Sequence, residues 1–285
     1  MIIRSGALGD VLLTRRLSYS LSLQGFRSTL FAPARHAFLL EADPWIDRAL
    51  DAESPVFAGA FAGEWPSEHP RFDVAVVISA SADLVSAARL AAAKAIQLPA
   101  IPRDPNRSIA LQWAEGANEL SPACIGSLPP LPTIAEMAVA SDATLIHPGS
   151  GAPQKNWPLE RFVELGLSLG RAGHRVIWVR GPAEASPEAA SIPLEILDQP
   201  RLEALAATLA LSRLFIGNDS GVSHLAAAVG APTVAIFGLT SNVVWKPDGP
   251  RVATVRAASG DLKAINVESV LAAISTLTET GHAAD

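Results

Sequence analysis

The chain has 285 residues, 49% hydrophobic and 18% charged, which suits one large domain or two ordinary ones and excludes wholesale disorder. Its net charge of -6, without basic runs, argues against a nucleic-acid binder whose affinity rests on neutralising phosphates. A single cysteine, Cys124, excludes an internal disulfide, and no apolar run is long enough for a membrane span. No leader core is read at the N-terminus, so a cytoplasmic protein is expected, with peripheral contact with a membrane surface left open.

Short apolar strands alternate with helical stretches along the whole chain, the pattern of α/β domains with parallel sheets. In the first half the pattern predicts strands at Ile2–Arg4, Thr29–Phe31, Val74–Ile78 and Ala95–Leu98, with helices at Val11–Leu23 and Leu84–Ala93. The proline-rich passage SPACIGSLPPLPT, Ser121 to Thr133, interrupts the alternation and is the expected linker. Beyond it, strands are predicted at Thr144–His147, Val176–Val179, Leu194–Leu197, Leu214–Gly217 and Val234–Phe237. Helices are predicted at Leu159–Ala172, Leu202–Ala210, Gly221–Val229 and Val267–Leu277. The simplest architecture is two doubly wound parallel sheets facing a cleft, with domains over residues 1–135 and 136–285.

The stretch LFIGNDSGVSHLAAAVGAPTVAIFG, Leu214 to Gly238, reads as strand, polar turn, helix and strand. Asn218, Asp219 and Ser220 lie where a parallel strand hands over to a helix, the place where open α/β sheets bind ligands. Val222, Leu225, Ala226 and Val229 are spaced to bury one helix face, and Gly230 can close the helix in a left-handed conformation. The helix start favours an anion, and Gly221 lets a ligand approach the backbone. Asp219 or Ser220 can equally serve as a simple cap. His224, one turn from Ser220, brings a titratable ring to the same end.

Two further turns carry chemistry. In IIRSGALGDVLLTRRL, Gly6 and Gly9 make a permissive turn and Asp10 stands at a helix start, where the dipole favours its negative charge. A carboxylate there is either a cap or a base for a bound hydroxyl. In HPGSGAPQKNWP, His147 to Pro158, Gly149, Ser150 and Gly151 offer N–H groups and a hydroxyl to phosphate oxygens. Lys155 adds a mobile cation or is a solvated surface charge. Trp157 and Pro158 are expected to anchor the next helix start by packing. The loop has neither the GxxxxGK[ST] spacing of a Walker loop nor GxGxxG, and the chain lacks CxxC and HExxH metal motifs. GNDSG is not the GxSxG of a nucleophile elbow.

Three segments together, RSGALGDVLLT, HPGSGAPQKNWPLERFVEL and FIGNDSGVSHLAAAVGAPTVAIFG, resemble glycosyltransferase family 9, the bacterial lipopolysaccharide heptosyltransferases. Weaker echoes occur at DPWIDRAL, GLTSNVVWKPDGP and INVESVLAAI. The resemblance implies a GT-B architecture of two Rossmann-like domains, the N-terminal one binding an acceptor and the C-terminal one a nucleotide sugar. It implies inverting, metal-independent transfer with no cofactor beyond the donor, ADP-heptose being the first candidate. The acceptor would be lipopolysaccharide core or another glycan or glycolipid, reached at the cytoplasmic face of the inner membrane, with no nucleic acid involved.

By motif, Asp10 is the implied base beside Gly9, and Lys155, Ser150 and Gly151 the diphosphate contacts. Asp219, Ser220, Gly221 and His224 would surround the diphosphate and donor sugar, and Glu184 would hold the nucleoside. Thr14, Arg15 and Arg16 stand where members usually carry a proline, so the two arginines are read as a solvated face or as contacts to an anionic acceptor. The first half is also shorter than in most members, which leaves the acceptor open. A nucleotide-sugar epimerase or hydrolase, or a noncatalytic nucleotide-sugar binder, would use the same scaffold.

Overall fold

Apolar runs of the first half form β1 (Ile2–Ile3), β2 (Ser28–Ala32), β3 (Ile46–Asp51), β4 (Phe72–Ile78) and β5 (Ala92–Leu98). They make one parallel sheet in the order β3-β2-β1-β4-β5, with Ile3 of β1 beside Phe31 of β2 and Val77 of β4. In this computed structural model, which describes residues 1–181 and 195–281, the sheet belongs to a first compact unit, Met1–Leu128. The chain passes to a second unit, Pro129–Asp285, inside the proline-rich passage. Helices α1 (Leu8–Ser22), α2 (Ala34–Ala37), α3 (Ala82–Ala91) and α4 (Ile109–Gly116) complete the first unit.

The second unit holds β6 (Thr144–His147), α5 (Leu159–Arg171), β7 (Val176–Arg180), β8 (Glu195–Asp198), α6 (Leu202–Ala210), β9 (Leu214–Asn218), α7 (Gly221–Ala228), β10 (Thr233–Phe237), β11 (Val252–Arg256) and α8 (Val267–Gly281). Its sheet is also parallel, in the order β11-β10-β9-β6-β7-β8. Ile146, Trp178, Ile216, Val234 and Ile236 from the strands pack with Phe162, Leu165, Val270 and Ile274 from α5 and α8 in one core. Each unit is therefore a Rossmann-like parallel α/β layer, as the sequence pattern predicts.

Four elements lie outside the predicted set, each for a local reason, and the first of them, α2, is a four-residue turn too short to show a helical period. The edge strand β3, IDRALD, exposes Asp47 and Arg48, and its pairing with β2 slips between Ser28 and Thr29, so neither alternation nor an apolar run marks it. The edge strand β11, VATVR, is only half-buried. Helix α4 is a short span of eight residues whose buried side is carried by Ile109, Ala110, Trp113 and Ala114. In α7, residues 223–228 are buried on every side while Val222 is half-buried, so the helix is enclosed and does not expose a polar face.

Helix α1 corrects the reading of Arg15 and Arg16, both of which are buried. Arg15 grips Asp43 in a fork, Nε donating to Oδ2 at 2.7 Å and Nη2 to Oδ1 at 2.8 Å, with its guanidinium over the Trp45 ring. Burial holds the Asp43 carboxyl above the usual carboxylate range, and the Arg15 guanidinium offsets only part of that rise. Arg16 donates to the carbonyls of Cys124 and Gly126 and so ties α1 to the segment that leads out of the unit. The two charges are thus internal struts in place of a solvated face. Among the described residues no helix is long and apolar enough to cross a membrane.

Removing one member of the Arg15–Asp43 pair leaves the other charge buried without its ion partner. Asp43→Ala should therefore lower the stability of the first unit by about 3–5 kcal/mol, whereas Arg15→Met combined with Asp43→Leu should cost much less. Urea unfolding monitored by tryptophan fluorescence checks this, and an unchanged midpoint for Asp43→Ala contradicts it.

Candidate functional site

In the first unit β1 is followed in sequence by its neighbour β2 on one side and flanked by β4 on the other, so the order reverses between β1 and β4. Ligands of open α/β sheets bind at such a reversal, beyond the carboxyl ends of the strands. The turn that leaves β1 there carries Gly6, Gly9 and Asp10 into α1. Asp10 is a cap and more: its Oδ2 accepts from the Ala7 N–H at 3.1 Å, while its Oδ1 accepts from Arg4 Nη2 at 2.7 Å. A Cβ at Gly6 would come within 2.9 Å of Asp10 Cβ and Oδ2, so glycine is what lets the carboxylate fold back over the turn. Gly9 is buried in the first turn of α1.

His36 of α2 stands close enough to feel this turn. Burial pushes its pKa below the usual histidine range, Arg35 adds to that, and the Gly6 backbone, Glu53 and Asp10 raise it. The sequence reading passed over both Arg4 and His36. The available signal for Arg4 was a lone cation directly after an apolar strand and directly before a glycine turn.

In the second unit the order reverses between β6 and β9, where His147 pairs with Gly217. The loops that leave these two strands carry most of the predicted donor residues. Lys155 Nζ donates to Asp219 Oδ2 at 2.8 Å, and the same oxygen accepts from Thr240 Oγ1 at 2.6 Å. Lys155 keeps 39% of its side chain exposed against 8% for Asp219, so the ammonium is the outward member of the pair. An ammonium has three N–H donors and the Asp219 bond uses one, which leaves capacity for anionic oxygens. Thr240 was missed because it follows β10, far along the chain from either glycine turn.

Ser220 caps α7, its hydroxyl accepting from the Ser223 N–H, while Asp219 does not cap. Gly221 opens the helix half-buried, and Gly230 closes it with a φ of 89°, a left-handed conformation that favours glycine. His224 lies buried in the second turn of α7. Ser150 directs its hydroxyl into its own loop, to Ala152 O at 2.8 Å and Asn156 Oδ1 at 2.6 Å. Gly151 is exposed, and a Cβ there would meet nothing within 4 Å, so the fold itself does not require glycine at that position. Glu184 lies outside the described residues.

The loop is held from below. Asn218 donates from Nδ2 to Pro148 O at 2.6 Å and accepts at Oδ1 from the Trp157 N–H at 2.9 Å. Trp157 is buried against Phe162, with its indole N–H donating to Ile265 O at 3.0 Å, the packing role expected of it. Asn218 is thereby a latch that fixes the lysine loop on β9.

The model of Glycosyltransferase family 9 (heptosyltransferase) matches residues 70–274. A stretch of 120 residues is 28% identical to lipopolysaccharide heptosyltransferase 3 of Escherichia coli (strain K12), covering 39% of this chain and 35% of that protein. Lipopolysaccharide heptosyltransferase 1 of the same strain is 30% identical over 43% of this chain and 40% of its own length. These relatives are thus matched over less than half of their length. Similar solved structures include a glycosyl transferase family 9 protein from Veillonella parvula, with TM-score 0.78 at 18% identity over 98% of this chain and 96% of that one. An E. coli heptosyltransferase solved with ADP gives TM-score 0.74 at 18% identity over 97% and 98%. With two Rossmann-like units and a family match over most of its length, the chain belongs to glycosyltransferase family 9.

Proposed function

We propose that this protein transfers a heptose-like sugar from a nucleotide diphosphate sugar, ADP-heptose first, to a hydroxyl of a glycan or glycolipid acceptor, inverting the anomeric carbon without a metal. The observation that carries the reading is the Lys155 ammonium, held outward by an Asp219 oxygen that Thr240 also binds, at the β6–β9 reversal beside the start of α7. A cation and helix-start N–H groups at one point form a receptor for a diphosphate. The E. coli heptosyltransferase of similar fold, solved with ADP, supports adenine as the base.

In this reading the second unit holds the donor and the first supplies the base. The acceptor oxygen attacks the anomeric carbon, the bond from that carbon to the diphosphate oxygen breaks, and the hydroxyl proton passes to the Asp10 carboxylate. Lys155 and the helix-start N–H groups stabilise the charge that grows on the departing diphosphate, a form of electrostatic preorganisation. Two bonds occupy the Asp10 carboxylate in the structure, and a carboxylate has about four lone-pair positions, so it can still accept a proton. A glycolipid acceptor would place the protein at the cytoplasmic face of a membrane.

Thermal-shift measurements with ADP-, GDP- and UDP-sugars test the donor, since a ligand at 100 times its Kd stabilises by about 2.7 kcal/mol. The largest shift is expected with ADP-heptose, and a preference for a UDP-sugar overturns the donor assignment. Asp10→Asn should lower turnover by about 10²- to 10⁴-fold and leave the donor-induced shift unchanged. Near-normal turnover in that variant removes Asp10 from the mechanism. Gly151→Ala should fold with unchanged stability but bind the donor more weakly, as seen by calorimetric titration, because its new methyl enters the space a phosphate would use.

A further inference from the structure

Arg4 is the least expected charge in the first unit. It follows β1 and is buried, with a side chain only 10% exposed. The guanidinium is held from three sides: Nη2 donates to Asp10 Oδ1 at 2.7 Å, Nη1 reaches the carbonyl of Ile78 at the end of β4 at 3.4 Å, and Cζ lies over the Trp113 ring of α4, 5.2 Å from its centroid. Trp113 is itself wholly buried and anchored, its indole N–H donating to Pro99 O at 2.8 Å. Arg4 Nε is buried and finds no hydrogen-bond partner among the described residues. A buried donor left unpaired costs stability, so the site is not arranged for stability alone.

These contacts make Arg4 a rigid part that touches one titratable group, Asp10. A guanidinium offers N–H donors and no acceptor, so Arg4 can hold a carboxylate but cannot itself take the proton of a hydroxyl. It binds one carboxylate oxygen and the Ala7 N–H binds the other, which fixes the plane of the carboxylate with lone pairs still unused. We propose that Arg4 is a positioning residue, which aims the Asp10 carboxylate at the acceptor hydroxyl and acts on the reaction only through it. This rests on the reading of Asp10 as the base. The pair spans the reversal between β1 and β4, so Arg4 also ties the orientation of Asp10 to the spacing of those strands.

The test compares Arg4→Gln, Arg4→Lys and Asp10→Asn in steady-state transfer assays, with thermal midpoints and donor binding measured on each variant. Arg4→Gln should lower kcat by about 30-fold or more, a large part of what loss of general-base catalysis costs, and leave both KM values and donor binding within about threefold. Arg4→Lys keeps the cation but loses the guanidinium over the Trp113 ring, so its kcat should fall between those of the wild type and Arg4→Gln. If Arg4→Gln fails to fold, a kcat loss of about threefold or more in Arg4→Lys with unchanged KM still carries the proposal. The proposal is overturned if Arg4→Gln turns over like the wild type, if its loss lies in KM, or if Arg4→Lys is no better than Arg4→Gln. A normal rate in Asp10→Asn defeats the base assignment instead, whereas an inactive Asp10→Asn beside normal Arg4 variants defeats this inference alone.

Discussion

Every strand pairing in both sheets is parallel, so within each unit the carboxyl ends of all strands share one edge. A parallel strand must be followed by a crossover, and at the point where successive crossovers change direction two loops diverge and leave a crevice. The candidate site residues of this chain collect at those two places: the Gly6–Asp10 turn at the β1–β4 reversal, and the Lys155 loop with the Asp219 turn at the β6–β9 reversal. A antiparallel pairing in either sheet would send one of these loops to the opposite edge. The site residues therefore depend on sheet direction before they depend on any single contact.

Within that constraint the atoms that close the helix starts are the ones that the proposed function uses. Asp10 closes a helix start and also presents a carboxylate, and Ser220 caps α7 directly beside the Asp219 that holds Lys155. Capping and ligand binding draw on one resource, the unpaired N–H groups of a helix start, so a residue placed there for one purpose is already placed for the other. Beneath these groups lie contacts with no chemical role of their own. Asn218 latches the lysine loop, and the buried Arg15–Asp43 fork fixes α1 against the chain that leads into β3. The loop positions are thus set by buried polar bonds, which tolerate little displacement, and not by apolar packing alone.

Legibility in the sequence followed local signal. The central strands β6, β9 and β10 are buried along their length and read as apolar runs, while the edge strands β3 and β11 are partly exposed and carry neither a run nor a clean alternation. Asp10, Lys155 and Asp219 stood out because each lies beside a glycine turn or a helix start. His36 and Thr240 did not, since each acquires its place through a neighbour distant in the chain, and Arg4 did not because, although Asp10 is close in sequence, burial against Ile78 and Trp113 is what fixes it. Arg15 and Arg16 were misread for the same reason, as a charge on a helix reads as solvated until a partner such as Asp43 is known.

The sequence by itself determined the alternation of strands and helices, the linker region, the family and the turns on which the candidate site residues lie, because these depend on residues close together in the chain. Tertiary structure alone decided that Lys155 and Thr240 share one oxygen of Asp219, that Asp10 is held by Arg4, and that two arginines of α1 are buried. A hydrogen bond or ion pair is a matter of a few tenths of an ångström between groups that may stand many residues apart, and only the packed sheets bring them to that distance.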